Sequence, residues 1–282
     1  MKKTRLTLPI PRSPNKARGV ALAMLLLAAL AGCGSSLERE YDNGVESAKK
    51  GQHTLALSSF DKVIARSPDS RLGLDAAREA ARVAFFELKD FNRSAKYYEM
   101  IVLGSPDEAE RLSAQKQITA VFFDHLSNYG RAIVEINKVL PLVRDPSEKL
   151  KYKMDLARAY YYQNNFFQAE MEVDEFLRLS KNEDLNFQML LLKANIVLAR
   201  KDLQRAAEIL KEMIKANPKK AQKENVGLTL AVAYEEMKDY KKAIETLQEI
   251  RGDHAMPDYI DVRIKRLQER VKNQPGARGF RK

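Results

Sequence analysis

The sequence predicts an all-α solenoid of about six helix pairs, closed by a C-terminal capping helix. Three observations predict it. A small residue recurs at Ala56, Ser94, Ala132, Ala169, Ala206 and Ala243, in steps of 38, 38, 37, 37 and 37. Large apolar residues follow each one after four and seven positions, as Phe60 and Val63 or Val173 and Phe176 do, and that spacing is one face of a helix. Twelve positions before each recurring residue stand Gly44, Arg82, Ala120, Ala157, Ala194 and Ala231, small in every unit but the second. Two helices per unit, each with a small contact residue, cannot bury their apolar faces alone, so successive pairs must stack.

In chain order, residues 1–32 come first. Lys2, Lys3, Arg5, Arg12, Lys16 and Arg18 precede eleven apolar residues from Val20 to Leu30. That run rises about 16 Å as a helix, against a hydrocarbon core of about 30 Å, so it suits a secretory signal rather than a membrane span. It ends in Leu30-Ala31-Gly32-Cys33, with the single cysteine of the chain. These four residues resemble a bacterial lipobox. The resemblance implies cleavage before Cys33 and attachment of diacylglycerol and an N-acyl chain to that residue, hence a palmitate-type anchor; the alternative is an ordinary signal peptide cut near Ala31. Gly34 rather than aspartate follows the cysteine, which in the lipoprotein family implies the outer membrane, facing the periplasm. Residues 33–36 would form the tether, 37–272 the solenoid and 273–282 a basic disordered tail.

Between the two helices of each unit the sequence is short and polar: Lys50-Gly51-Gln52, Leu88-Lys89-Asp90, Leu126-Ser127-Asn128, Gln163-Asn164-Asn165, Arg200-Lys201-Asp202 and Met237-Lys238-Asp239. Such links suit an antiparallel helix pair. Pro68, Pro106, Pro146, Pro218 and Pro257 fall after the second helices, where proline ends or restarts a helix. The stretch from Pro257 to Lys272 is expected to cap the stack, with Tyr259, Ile260, Ile264 and Leu267 inward. The pattern of small, large and aromatic positions with a late proline resembles the tetratricopeptide repeat (TPR), which implies a right-handed superhelix. The step of 37–38 exceeds the 34 of that family, and the chain has no tryptophan.

The formal charge of +11 is concentrated at the two ends. Residues 1–32 hold six of the basic residues and none of the acidic ones, and residues 263–282 carry a net +7. The body is close to neutral, which argues against a nucleic-acid face. With Cys33 acylated, no thiol is left for disulfides or metal–thiolate sites. His53, His125 and His254 fall in different units, and no phosphate loop, His-Glu-x-x-His or nucleophile elbow occurs. No catalytic residue, metal or small-molecule substrate is expected, and the chain does not look like an enzyme. The first helices of a TPR superhelix line its concave side. That register selects Tyr41 and Phe86, then Met154, Arg158, Tyr161, Tyr162 and Asn195 as a partner-binding groove. The competing reading is that Tyr161 and Tyr162 pack between repeats.

The lipobox, the short tether and a first helix of the form Tyr-x-x-Gly-x-x-x-Ala-x-x-Gly (Tyr41, Gly44, Ala48, Gly51) resemble the BamD-like lipoproteins of outer-membrane β-barrel assembly. That class usually has five repeats, and six are counted here. The resemblance implies an envelope scaffold that binds a component of the barrel-assembly machine. Two other partner classes stay open: a secretin, if the protein is a pilotin of pilus or secretion assembly, and a cell-wall enzyme or motility complex, if it is an adaptor.

Overall fold

The computed structural model describes residues 36–252 and 255–273. Among them every regular element is helical. The first helix covers residues 36–49 (α1). There follow α2 (His53–Arg66), α3 (Arg71–Arg82), α4 (Phe91–Gly104), α5 (Glu108–Ala120), α6 (Tyr129–Val139), α7 (Pro146–Tyr162) and α8 (Phe166–Leu179). Then come α9 (Glu183–Ala199), α10 (Leu203–Ala216), the short α11 (Pro218–Lys223), α12 (Val226–Glu236), α13 (Tyr240–Arg251) and α14 (Pro257–Lys272). The six expected pairs are α1/α2, α3/α4, α5/α6, α7/α8, α9/α10 and α12/α13, with α14 as the cap. Pro218 does not end the fifth pair outright; it opens α11, an extra turn before the sixth. No helix among the described residues is long and apolar enough to cross a membrane. Leu30, Ala31, Gly32, Cys33 and the tail 274–282 lie outside the described residues.

The recurring small residues sit where helices touch. Ala56, Ser94, Ala132, Ala169, Ala206 and Ala243 are all fully buried. Their partners on the first helices are Gly44, Ala157, Ala194 and Ala231, also buried. The reason for a small residue is plain at Gly44. A Cβ there would lie 2.7 Å from Phe60 Cε1, so only glycine lets the phenylalanine ring fill that space.

The second and third pairs correct the register. Arg82 is exposed and Ala120 is half-buried, whereas their neighbours Ala81 and Thr119 are buried. The cause is a π-helical turn at the end of each first helix, over Val83–Glu87 and Val121–His125. There Leu88 N–H donates to the Val83 carbonyl and Leu126 N–H to that of Val121, five residues back. Each turn absorbs one extra residue. The contact residue is therefore thirteen, not twelve, positions before the small residue of α4 and α6. Arg82 is no exception to the small-residue rule, because Ala81 occupies the position.

The six links share one conformation. Their middle residues Gly51, Lys89, Ser127, Asn164, Lys201 and Lys238 all have positive φ, from 48° to 74°. The next residue caps the second helix. Asp90, Asn128, Asn165, Asp202 and Asp239 accept a hydrogen bond from the backbone N–H three residues on. Only Gln52 does not cap through its side chain. A left-handed residue closes one helix, and an Asx side chain satisfies an orphan N–H of the next.

The chain divides into two compact units, one through Gln117 and one from Ile118. In the first, Phe60, Leu57, Val63, Ala76, Ala77, Ala80, Val83 and Ile101 make the core. Arg78 on α3 forks onto Glu110 with two contacts of 2.6 Å, and Asp61 takes Tyr97 Oη–H at 2.6 Å and Arg93 at 2.7 Å. In the second unit α7 packs on α8, α8 on α9, α9 on α10, α10 on α12, α12 on α13 and α13 on α14. Glu135 is buried but held by Arg131 at 2.8 Å and Lys138 at 3.0 Å, which compensates its desolvation. On α14, Ile260, Ile264 and Leu267 are buried as expected. Tyr259 is not: it is exposed, as Val262 is, because residue 259 lies about 100° round the helix from the stripe of 260, 264 and 267.

Candidate functional site

In the second unit the first helices α7 and α9 meet directly, and three of the expected groove residues stand on them around that contact. Arg158 donates from Nη2 to Gln188 Oε1 at 3.3 Å, linking the two helices. It also lies 3.8 Å from Asp155 one turn earlier. Burial pushes the Asp155 carboxyl up to about 6, against the opposing pull of Arg158 and Lys151, while Asp124 raises it further. A guanidinium has five N–H donors, so Arg158 retains donors beyond the one directed to Gln188. Asn195 stands 37 residues on from Arg158, half-buried on α9, and no hydrogen bond joins the two side chains. Met154 is half-buried against the core of the fourth pair. Asp155 and Gln188 were not selected from the sequence. Asp155 was missed because it stands one residue round the helix from the chosen positions, and Gln188 because it lies one turn before them.

Tyr161 and Tyr162 serve a different edge. Tyr161 packs on Phe166 at 5.9 Å between ring centres and belongs with the core of the fourth pair. Tyr162 is 52% exposed and stacks on Tyr129 of the preceding pair at 4.6 Å and 30°. The inter-repeat packing weighed against the groove is thus present, and it follows the turns.

In the first unit Tyr41 tilts against Phe60 at 5.8 Å, and burial raises its phenol pKa. It opens onto a cleft of about 480 Å³ shared with Val45, Ala48, Lys49, Glu79 and Arg82. Phe86 stands on the π-turn, 62% exposed, its ring 4.8 Å from that of Phe85. Arg82 was missed because the π-turn shifts the register, which had put it at the small contact position; Lys49 on α1 and Glu79 on α3 precede that turn and were passed over in favour of the aromatic residues.

Two tetratricopeptide-repeat family models match the sequence, one over residues 154–221 and one over 197–268. Residues 154–268 carry tetratricopeptide repeats. Solved structures agree on the fold. The repeats resemble a signal-transduction ATPase with a tetratricopeptide-repeat sensor from Pyrococcus horikoshii, at 16% identity and a TM-score of 0.54, over 84% of this chain and 39% of that one. They resemble the Naa15/Naa10 complex bound to HypK at 13% identity and a TM-score of 0.53, over 87% of this chain and 42% of that one. A tetratricopeptide-repeat protein from Parabacteroides merdae is 14% identical, with a TM-score of 0.47, over 88% of this chain and 95% of that one. A search of curated proteins finds no match. The fold is the all-α TPR fold, whose stacked helix pairs present side chains to protein partners. Among the described residues no group of three or more His, Cys, Asp or Glu is placed to hold a metal ion.

Proposed function

We propose that this protein is a lipid-anchored periplasmic scaffold that binds other proteins during outer-membrane biogenesis, in the manner of the BamD-like barrel-assembly lipoproteins. The observation that carries the binding role is the α7/α9 face. There a cation, Arg158, donates to an amide of the next repeat at 3.3 Å and lies 3.8 Å from the Asp155 carboxyl, and Asn195 continues the polar row. Such a row suits backbone carbonyls or a carboxylate of an extended segment. The anchor rests on the lipobox. Acylation of Cys33 with two or more chains would hold the protein stably at a membrane, and Gly34 supports the outer one. The Tyr41/Gly44/Ala48/Gly51 pattern supports the barrel-assembly class less strongly, because the close approach of Phe60 to Gly44 and the positive φ of Gly51 already account for both glycines.

The test is a pull-down of the lipidated protein from detergent-solubilised envelopes, with Arg158→Glu/Asn195→Ala as the control. Both residues are partly exposed, so the control should fold. Recovery of a large β-barrel assembly component, lost in the control, supports the proposal. Recovery of a secretin would make the protein a pilotin, and recovery of cell-wall hydrolases an adaptor. A partner retained by the control would refute the α7/α9 site. Cys33→Ala should leave an unprocessed chain outside the membrane fraction, and normal fractionation would refute the anchor.

A further inference from the structure

The links of the third and fourth repeats differ chemically from the rest. Lys50, Lys89-Asp90, Lys201-Asp202 and Lys238-Asp239 put charge into the other four links, whereas residues 126–130 and 159–169 contain none. These two uncharged links are neighbours in the second unit, and aromatic rings join them. Phe123 meets Tyr129 at 5.7 Å, Tyr129 stacks on Tyr162 at 4.6 Å, Tyr162 meets Tyr161 at 5.7 Å and Tyr161 meets Phe166 at 5.9 Å. The row is braced from below, yet Tyr162 is half-exposed at its centre.

Three amide side chains follow that ring in the chain. Gln163, Asn164 and Asn165 are all exposed. A Cβ on Gly130 would lie 2.8 Å from Gln163 Nε2, so the glycine makes room for this side chain against the preceding link. Asn165 Oδ1 is committed to capping Gln168 N–H, which leaves its Nδ2 as a donor. Asn164 is held at φ 58°, so its backbone is fixed by the turn.

We propose that this turn edge is a binding platform for a neutral polysaccharide chain, with Tyr162 stacking on a sugar ring and Gln163, Asn164 and Asn165 hydrogen-bonding its hydroxyl or acetamido groups. The negative π-face of tyrosine attracts the polarised C–H face of a pyranose. Side-chain amides carry both donors and acceptors, which matches hydroxyls, themselves both. A rigid apolar platform with a few fixed polar groups is the general form of a small-ligand site. The missing charges point away from phosphate head groups and acidic peptides, which would find Lys in the other links. A proline-rich peptide is the other neutral candidate. Proline docks into grooves between aromatic rings, and the 4.6 Å stack of Tyr129 on Tyr162 closes that gap.

The platform uses residues apart from Arg158 and Asn195, so it stands or falls independently of the scaffold role. The repeats themselves supply fold-preserving variants. Ala199 occupies the position of Tyr162 in the fifth repeat, and Lys201-Asp202 that of Asn164-Asn165. The full chain is titrated with a β-1,4-linked N-acetylglucosamine tetramer and a β-1,4-linked glucose tetramer, followed by amide chemical shifts and calorimetry. Saturable binding of either sugar is expected, with shifts centred on residues 126–130 and 159–169. Tyr162→Ala and, separately, Asn164→Lys/Asn165→Asp should each weaken it about tenfold, the worth of one stack or a pair of hydrogen bonds, with unchanged circular dichroism. Absence of saturable sugar binding overturns the proposal, as does binding that both folded variants retain. A polyproline peptide that binds in place of the sugars and is lost in Tyr162→Ala overturns it too.

Discussion

The π-turn of α3 makes a prediction that a straight helix reverses. Ala81→Leu and Arg82→Ala change adjacent residues, but the structure gives them opposite consequences. Ala81 is 1% exposed at the contact of α3 with its neighbours. Leucine adds three carbons to a filled interface, and overpacking of that kind costs about 1–3 kcal/mol. The Arg82 side chain is 48% exposed and holds Glu79 at 3.1 Å and Glu87 at 3.7 Å. Exposed pairs contribute about 0–1 kcal/mol, and alanine regains a little helix propensity. At roughly 2–4 °C per kcal/mol for a chain of this size, Ala81→Leu should lower Tm by roughly 2–12 °C, and Arg82→Ala should scarcely move it. Thermal circular dichroism reads the shift, and hydrogen exchange over residues 71–104 locates it. If Arg82→Ala melts lower than Ala81→Leu, the residue opposite α4 is Arg82, and the π-turn account is wrong.

Other predictions follow from the links and from Asp155. Asp202→Ala removes the cap that accepts from Arg205 N–H and should cost about 1 kcal/mol, read as loss of amide protection at the start of α10. Lys89→Gly relieves a left-handed residue, φ 52°; its gain against the entropy of glycine should leave a net stabilisation of a few tenths of a kcal/mol, and a drop in the denaturation midpoint would contradict this. The Asp155 carboxyl is raised from 3.8 to about 6 in the folded state, so the folded chain binds the proton more tightly. Its contribution is fully present below pH 3.8 and is lost as pH rises through about 6. Asp155→Asn should therefore be more stable than the parent above pH 6, by about 1–3 kcal/mol. The two should converge towards pH 4 in urea titrations, and a parallel offset at every pH would exclude the linkage.

The second helices were legible residue by residue. A small residue with large ones at four and seven positions leaves one buried stripe, and every small position on that stripe is fully buried. The first helices were legible only where the period was regular. One inserted residue in the second and third pairs could have been a longer loop or a bulge, and no local propensity distinguishes Val83–Glu87 from an ordinary helix end. Hydrogen-bond register decides it, and that depends on α2 and α4 packing against the turn. The same insertion hid the cleft residue Arg82, which the regular period had put at the small contact position. The outward Tyr259 was misread for a different reason: an aromatic next to Ile260 fits an apolar stripe by composition, though it lies off the stripe by angle.

The tyrosine run shows what a sequence leaves open about a binding surface. Three consecutive tyrosines on a helix must point in three directions, so they cannot all serve one groove. Tyr160 and Tyr161 turn toward apolar clusters, and only Tyr162 remains as a surface. Which surface it forms depends on Tyr129, 33 residues earlier. That partner is supplied by the stacking of one repeat on the next. Charge, by contrast, is readable without any fold. A link that lacks the lysine and aspartate used by its counterparts forgoes solvation that the turn geometry plainly tolerates. In a solenoid whose links are otherwise interchangeable, that departure needs a local cause, and a neutral ligand lying across the exposed ring supplies one.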